Sequence, residues 1–415
     1  MRVALVIDKY DPASGGAECW THRHGRMLIE DGHEVHIVAR TIREAPATAV
    51  SHLIKSSSRR LSLADRAATL LSELPVDVIH DMGLGWYADV FMPHCGTRKA
   101  IYSQQSKLLA PPERWLRPLA YHLLPRYLRF QALEARQYRD APGRPGKLFL
   151  AVSRMVKTDM VRFNHAPAQR VHVVHNGVDI DRFQPDPTGA ARRRIRRDLG
   201  ITDATTLFLL VAHDWDLKGL QTILQSLAAL TRAGRDAALA VVGPGTMRGR
   251  KFWGIPLSRP HQRYPRLARQ LGCDDAVRFA GLQTDPLPYY QAADVYVQPT
   301  LYDACSLVVL EAMACGLPVI TSACNGASEM IEDGREGSIL DDPQDEADLA
   351  RRMERYLSAE VRAKAGHAAL QTARRHTAMT NYEGVMQMYR QVLAEKASAR
   401  SALREAAAVP RAATA

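Results

Sequence analysis

Short apolar runs recur along the chain, each closed by a polar or glycine-bearing loop and followed by a stretch of helical spacing. The first are VALVI after Arg2, HEVHIVAR (33–40), DVIHD (77–81), ADVFMP (88–93), KLFLAV (147–152) and RVHVVHNGVD (170–179). A second series opens with TLFLLVA (206–212) and continues through AALAVVGPG (237–245), VRFAGLQTD (277–285), DVYVQP (294–299) and GLPVI (316–320). Unbroken runs of this length suit strands buried on both faces, as in parallel sheets. The alternation of strand, loop and helix predicts doubly wound α/β architecture. Beyond residue 340, apolar spacing marks helices near 345–358, 360–375 and 378–397, and the tail 401–415, with its lone Pro410, is expected to fray.

Bulk properties narrow this picture. A chain of 415 residues exceeds one ordinary core, so two domains are expected. The composition is globular, with 46% hydrophobic and 24% charged residues. A formal charge of +11 favours anionic partners: sugar nucleotides, acidic glycolipids, a membrane surface or nucleic acid. Six cysteines (19, 95, 273, 305, 315, 324) show no CxxC spacing, which points to a reduced, cytosolic protein without a zinc site. The apolar N-terminal run is too short for a signal-peptide core, and no stretch approaches eighteen apolar residues. A soluble or peripheral protein is expected.

The most informative stretch is DACSLVVLEAMACGLPVI (303–320). It reads as a tight loop, a short helix and a buried strand, entered from the strand DVYVQP. Helix N-termini carry unpaired N–H groups and partial positive charge, so they accept anions. Asp303 and Glu311 flank this one with seven residues between them. Two acids around a phosphate-binding turn suit a sugar nucleotide. The competing reading is a helix capped by Asp303 or Ser306, with Glu311 merely exposed.

Other candidates lie after other strands. Gly15-Gly16 would allow close backbone approach to a ligand, but without GxGxxG a nicotinamide site is not expected. His94, just past an apolar strand, could take an acceptor proton or hold a sugar oxygen, or be satisfied by the backbone. Lys218, beside Gly219 at a helix start, is placed to neutralise a diphosphate or to be an ordinary surface lysine. The DxD of Asp179 and Asp181 lies in a turn-rich link with no ligand cluster, so no metal is expected. ARRRIRRDLGI (191–201) reads as a solvated helix with Ile195 and Leu199 inward. Residues 98–139 hold nine Lys/Arg against two Glu, with Trp115, Tyr121, Tyr127, Phe130 and Tyr138 interleaved. They read as helical pieces broken at Pro118 and Pro125, suited to an anionic membrane surface or to an ordinary amphipathic packing role.

The 303–320 stretch resembles the donor-site signature of retaining GT-B glycosyltransferases of family 4, acid-x7-acid followed by AMACGLPVI. The likeness continues into NGASEMIEDGREGSIL (325–340) and, more thinly, over nearly the whole chain. It implies two Rossmann-like domains facing across a cleft: 1–175 on the acceptor side, a linker at 176–190, a donor domain at 191–377, and a helix at 378–400 crossing back. It implies Lys218 as the donor-phosphate lysine, with Gly15 and Gly16 against the diphosphate and Gly281 and Leu282 beside the base. The Cys305, Ser306 and Leu307 amides would meet the phosphates, Asp303 the sugar and Glu311 the ribose, with His94 in the active cleft. No cofactor is implied; a UDP-, GDP- or ADP-sugar is a co-substrate, and the acceptor is a glycan or glycolipid. The lipopolysaccharide-core branch is similar in the 98–139 region, which implies docking at the inner face of the cytoplasmic membrane.

Two departures stand out. The family usually has Glu where this chain has Asp303, and an arginine a few residues before the lysine, where 213–217 has none. Either another cation compensates or diphosphate stabilisation is weaker. A non-catalytic sugar-nucleotide or glycan-binding protein and a nucleotide-sugar epimerase therefore stay open, whereas no motif supports nucleic-acid binding.

Overall fold

The computed structural model describes residues 1–55, 59–106, 113–144, 146–245, 251–252, 255–256 and 260–408. It forms two compact units, one of Met1–Ala100, Ser106–Val174 and Tyr382–Ala415, the other of Ile101–Gln105 and His175–Asn381.

The first unit is a parallel seven-stranded sheet. Its strands are β1 (Arg2–Tyr10), β2 (Glu34–Ile42), β3 (Val50–Leu53), β4 (Val78–Asp81), β5 (Val90–Phe91), β6 (Leu148–Ala151) and β7 (Val171–Val173), in the order β3-β2-β1-β4-β5-β6-β7. Strand order reverses direction beside β1, which makes the carboxyl ends of the central strands the expected ligand edge. Val3–Ile7 are buried on both faces, as the unbroken run requires. The edge strand β3, with Val50 and Leu53 exposed, has no such run and could not be read from pattern. Helices α1 (Gly16–Glu30), α2 (Arg60–Glu73), α3 (Arg98–Ser106), α4 (Glu113–Leu123), α5 (Pro125–Gln137) and α6 (Arg154–Asn164) make the crossovers, with Ile101–Gln105 of α3 belonging to the second unit. Leu63, Ala67 and Leu71 of α2 bury one stripe against Ala4, Val6, Val38 and Ile79.

The second unit holds α7 (Ala190–Asp198), β8 (Thr206–Val211), α8 (Leu220–Arg232), β9 (Ala237–Val242), a short hairpin of β10 (Lys251–Phe252) and β11 (Ile255–Pro256), and α9 (Pro260–Leu271). It continues with β12 (Val277–Gly281), α10 (Leu287–Ala292), β13 (Val295–Gln298), α11 (Leu307–Ala314), β14 (Val319–Ser322), β15 (Gly337–Leu340), α12 (Glu346–Arg355) and α13 (Ala359–Ala373). Its parallel sheet runs β12-β9-β8-β13-β14-β15. The core gathers Phe208, Leu210, Leu239, Val241, Val295, Val297 and Ile320 with the inner face of α8.

Three local expectations are corrected. The chain does not break at Pro118: α4 continues through it, giving up one backbone bond, and the break falls at Leu124, where Pro125 starts α5. The last helix, α14, runs from Ala378 to Ala408, so the segment from 401 is helical up to 408. The tail at 409–415, Pro410 included, lies outside the described residues. The 191–201 run is not simply solvated: Arg196 is buried and its Nη1 lies 3.1 Å from Asp294 Oδ2, while Arg192 Nη1 lies 3.0 Å from Asp294 Oδ1. Two arginines four apart thus grip the residue that leads into β13.

From Tyr382 onward α14 belongs to the first unit, and polar contacts seat it there. Asp89 accepts from Lys396 Nζ (2.8 Å), Arg144 Nη1 (2.7 Å) and the Ile79 amide (2.8 Å). The buried Tyr389 hydroxyl lies 3.0 Å from His24 Nε2 and 2.7 Å from His80 Nδ1. One hydroxyl proton cannot serve two acceptors, so one of these imidazoles donates to Tyr389 and the other accepts. Burial, then the Arg23 charge, pushes His24 down to about 3, and burial takes His80 well below the usual histidine range. Both are neutral in the folded protein near pH 7.

Below pH 6.5 the unfolded chain takes up protons that folded His24 refuses, so stability falls as pH drops from 6.5 towards 3. Burial raises Asp81 to about 6, which works in the opposite sense between its unfolded value and 6, so the contribution is isolated by substitution. The destabilisation caused by His24→Gln should shrink by about 1.4 kcal/mol per pH unit below 6.5. Urea unfolding at pH 7, 6 and 5 measures it; a pH-independent difference would show that His24 is not buried neutral.

Candidate active site

The loop after β8 is wound into a tight coil. Asp214 Oδ1 accepts from the Leu217 amide (3.0 Å), its carbonyl accepts from the Lys218 amide (3.1 Å), and the Asp216 carbonyl accepts from the Gly219 amide (3.3 Å). Gly219 ends the coil at φ +79° and begins α8. Only glycine suits it, because a methyl group there would also run into the Pro299 carbonyl. The Leu217 carbonyl accepts from the Leu301 amide (2.9 Å) and the Thr300 hydroxyl (3.0 Å). The loops after β8 and β13 are therefore locked together at the carboxyl edge of the sheet. Lys218 Nζ ends 2.5 Å from Asp303 Oδ2, with each side chain 18% exposed.

Asp303 is held from both sides by its backbone. Its amide donates to Cys324 O (3.0 Å) and its carbonyl accepts from Gly326 N (2.8 Å). Beneath it, the wholly buried Asn325 accepts from the Ser306 amide (3.3 Å) and the Ala327 amide (3.0 Å), and donates to Thr321 Oγ1 (3.0 Å). Ser306 Oγ donates to Gln298 Oε1 (3.0 Å) rather than capping the helix, and no side chain caps α11. The capped-helix alternative is thus not what the chain adopts. Of the three amides expected to face an anion, that of Ser306 is engaged by Asn325. The Cys305 carbonyl accepts from Asn176 Nδ2 (2.7 Å), and burial pushes the Cys305 thiol far up, so it is no nucleophile.

Glu311 is half-buried, and the hydroxyl of fully buried Tyr290 donates to its Oε2 at 2.9 Å. Burial first, and the Glu311 charge second, keep that hydroxyl protonated. Gly281 ends β12 at φ +69°, its carbonyl accepting from Gly243 N (2.7 Å), and Leu282 beside it is 66% exposed. In the first unit, Gly15 precedes α1 in extended conformation, and Glu18 Oε2 lies 2.9 Å from where its Cβ would stand. The room left by Gly15 is taken by the chain's own carboxylate. His94, past β5, is 7% exposed, its ring 5.5 Å from that of Trp20, which stacks on His24 at 4.8 Å.

The second unit thus brings Lys218, Asp303, Cys305, Ser306, Leu307 and Glu311 to one region, with Gly281 and Leu282 two strands away beyond β8 and β9. Gly15, Gly16 and His94 stand in the first unit. Sequence reading missed Gln298, Asn325, Asn176 and Tyr290, which support this region, and the pair of His175 Nε2 with Glu329 Oε2 at 2.9 Å. A buried Gln298 within an apolar strand and the HNG and NGA triplets were the available signals. Among the described residues no cluster of His, Cys, Asp and Glu has the geometry of a metal site.

Residues 14–182 match the family described as Glycosyltransferase Family 4, and residues 205–359 that described as Glycosyl transferases group 1. The D-inositol 3-phosphate glycosyltransferase 2 of Catenulispora acidiphila is 29% identical over 384 residues, 83% of this chain and 85% of its own. Among solved structures, WaaG, a glycosyltransferase involved in lipopolysaccharide biosynthesis, superposes with a TM-score of 0.75 at 22% identity, over 92% of this chain and 98% of its own. Anabaena HepE in complex with UDP-glucose gives 0.68 at 17%, over 96% and 100%.

The locked loops make Gly219 sensitive. Gly219→Ala should cost more than about 1 kcal/mol, since alanine meets both the positive φ and the Pro299 carbonyl. Chemical denaturation measures this, and unchanged stability would mean that the two loops do not meet as described.

Proposed function

Since this chain is a family 4 glycosyltransferase of the GT-B fold, with two Rossmann-like parallel-sheet units, we propose that it moves a hexose from a nucleoside-diphosphate sugar to an acceptor hydroxyl with retention. The observation that carries this is the contact of Lys218 with Asp303 at the N-terminal ends of α8 and α11. In the free site the two charges compensate one another. An incoming diphosphate takes over Lys218, and the released Asp303 carboxylate accepts hydrogen bonds from sugar hydroxyls. As the glycosidic bond opens, charge grows on the leaving diphosphate. Lys218, the Cys305 and Leu307 amides and the two helix N-termini meet it there, fixed in advance. Glu311, aligned by Tyr290, takes the ribose hydroxyls, and the backbone at Gly281 and Leu282 meets the base. Following the family, attack occurs on the face from which the diphosphate departs, with the acceptor proton passing to a phosphate oxygen.

The acceptor we propose is a glycan or glycolipid of the cell envelope, met at the cytoplasmic face of the membrane. Trp115, Leu116, Leu123, Leu124 and Leu128 project from α4 and α5 with 40–73% exposure, beside exposed Arg114 and Arg129. Apolar side chains flanked by arginine suit an anionic interface, and no described helix is long and apolar enough to cross a membrane. A second reading, a small phosphorylated polyol acceptor, is favoured by the likeness to the D-inositol 3-phosphate glycosyltransferase 2 of Catenulispora.

Thermal shift against UDP-, GDP-, ADP- and CMP-sugars tests the donor site. One nucleotide class should stabilise the wild type by about 2.7 kcal/mol at a hundredfold excess over Kd. Glu311→Ala should lose that response, and no shift with any donor would overturn the site. With the base known, mass spectrometry of products formed on lipopolysaccharide-core fragments or on inositol phosphate separates the two acceptor readings. Separately, Trp115→Ser/Leu123→Ser and Arg114→Glu/Arg129→Glu should each weaken binding to phosphatidylglycerol vesicles by about tenfold or more, at about 1 kcal/mol per basic residue. Unchanged vesicle binding would remove membrane docking through α4 and α5.

A further inference from the structure

Residues 213–217 carry no cation of their own, yet one is delivered to them from elsewhere in the fold. Asp216, two residues before Lys218, directs Oδ1 towards α9. Arg263 Nη1 and the Tyr264 hydroxyl both donate to that one oxygen, each at 2.6 Å. Arg263 Nη2 donates onward to Gln221 Oε1 (3.1 Å) in the first turn of α8. Tyr264 is fully buried and meets Trp215 edge to face at 5.8 Å, so its hydroxyl has little freedom to turn away. The Arg263 guanidinium lies 5.1 Å from the Tyr264 ring centre.

Asp216 is thus fixed at both ends, its carbonyl to the Gly219 amide and its carboxylate to α9. Two consequences follow for Lys218, which sits between Asp216 and Gly219. The coil cannot unwind without breaking a charge-assisted pair, so the lysine stem starts from a fixed place. The Asp216 carboxylate would also repel an anion arriving at the α8 N-terminus, and Arg263 cancels that charge.

We propose that Arg263 and Tyr264 are positioning residues for Lys218, holding the donor-phosphate loop in place through Asp216. The proposal rests on the donor-site reading above and goes beyond it in tying α9 to that site. α9 is the helix that follows the basic segment after β9, of which 246–250, 253–254 and 257–259 lie outside the described residues.

Isothermal titration with UDP, GDP and ADP tests it on the full chain, with melting temperature followed for every variant. Arg263→Gln should weaken binding of the preferred nucleotide about tenfold and Tyr264→Phe about threefold, with Arg263→Lys between wild type and Arg263→Gln. The decisive comparison is Lys218→Ala against Lys218→Ala/Arg263→Gln, whose difference should fall well below the tenfold seen with Lys218 present, leaving only the uncancelled Asp216 charge. Binding within twofold of wild type in Arg263→Gln and Tyr264→Phe overturns the proposal. So does an undiminished effect of Arg263→Gln on the Lys218→Ala background, which would mean that Arg263 acts on the ligand itself. Should Arg263→Gln fail to fold, Arg263→Lys and Tyr264→Phe decide by the same criteria. A wild-type chain that binds none of the three nucleotides overturns the donor-site reading, and this proposal with it.

Discussion

The carbonyl of Leu217 is the point on which the geometry around Lys218 and Asp303 depends. It accepts two hydrogen bonds from the loop after β13, while Gly219 lets the Pro299 carbonyl come close enough for them to form. Two loops that begin at the ends of neighbouring strands are thereby made into one body. Without that, Lys218 and Asp303, 85 residues apart in sequence, would each sit on a separately moving segment. A site that must meet developing charge at fixed distances cannot be built on loops that move independently.

The layer beneath these loops is polar where an ordinary core would be apolar. Gln298, Thr321, Asn325 and Asn176 are buried, and their side chains reach the backbone or side chains of Cys305, Ser306 and the 321–327 turn. Gln298 engages through Oε1 and Asn176 through Nδ2, while Gln298 Nε2 and Asn176 Oδ1 are buried without a partner among the described residues, and a wrong loop conformation would strand the engaged groups as well. The network therefore selects one loop shape more strongly than leucines of equal volume would. It also spends the Ser306 amide on structure. The run Cys305–Leu307 thus keeps one amide fewer for a ligand than its sequence suggested.

Much of the scaffold was legible because its signal is local. Buried parallel strands appear as unbroken apolar runs, and β1, β8, β9, β13 and β14 fall where those runs lie. The loop, helix and strand of 303–320 were legible because they are contiguous in sequence. What escaped depends on distance. β3 is an exposed edge with no apolar run, and Pro118 was read by its chemistry although one lost bond did not end α4. The arginine run at 191–197 showed its charges but not Asp294, which takes two of them. Gly15 offered an opening in the sequence; the folded chain lets its own Glu18 lean into it.

The same distinction accounts for the departure that the sequence left unresolved, the absence of an arginine ahead of Lys218. A motif is a one-dimensional record of a three-dimensional charge distribution, and the field at the α8 N-terminus does not register which element supplies a cation. Arg263 follows Lys218 by 45 residues, on a helix packed against α8, yet its guanidinium bridges Asp216 and Gln221 on either side of the lysine. The Asp216 carboxylate, which would oppose an anion at the α8 N-terminus, is what draws Arg263 to it. Removing the acid alone would release the cation as well as the charge it cancels, so the two residues are one device. A count of cations within residues 213–217 leaves Arg263 out for that reason.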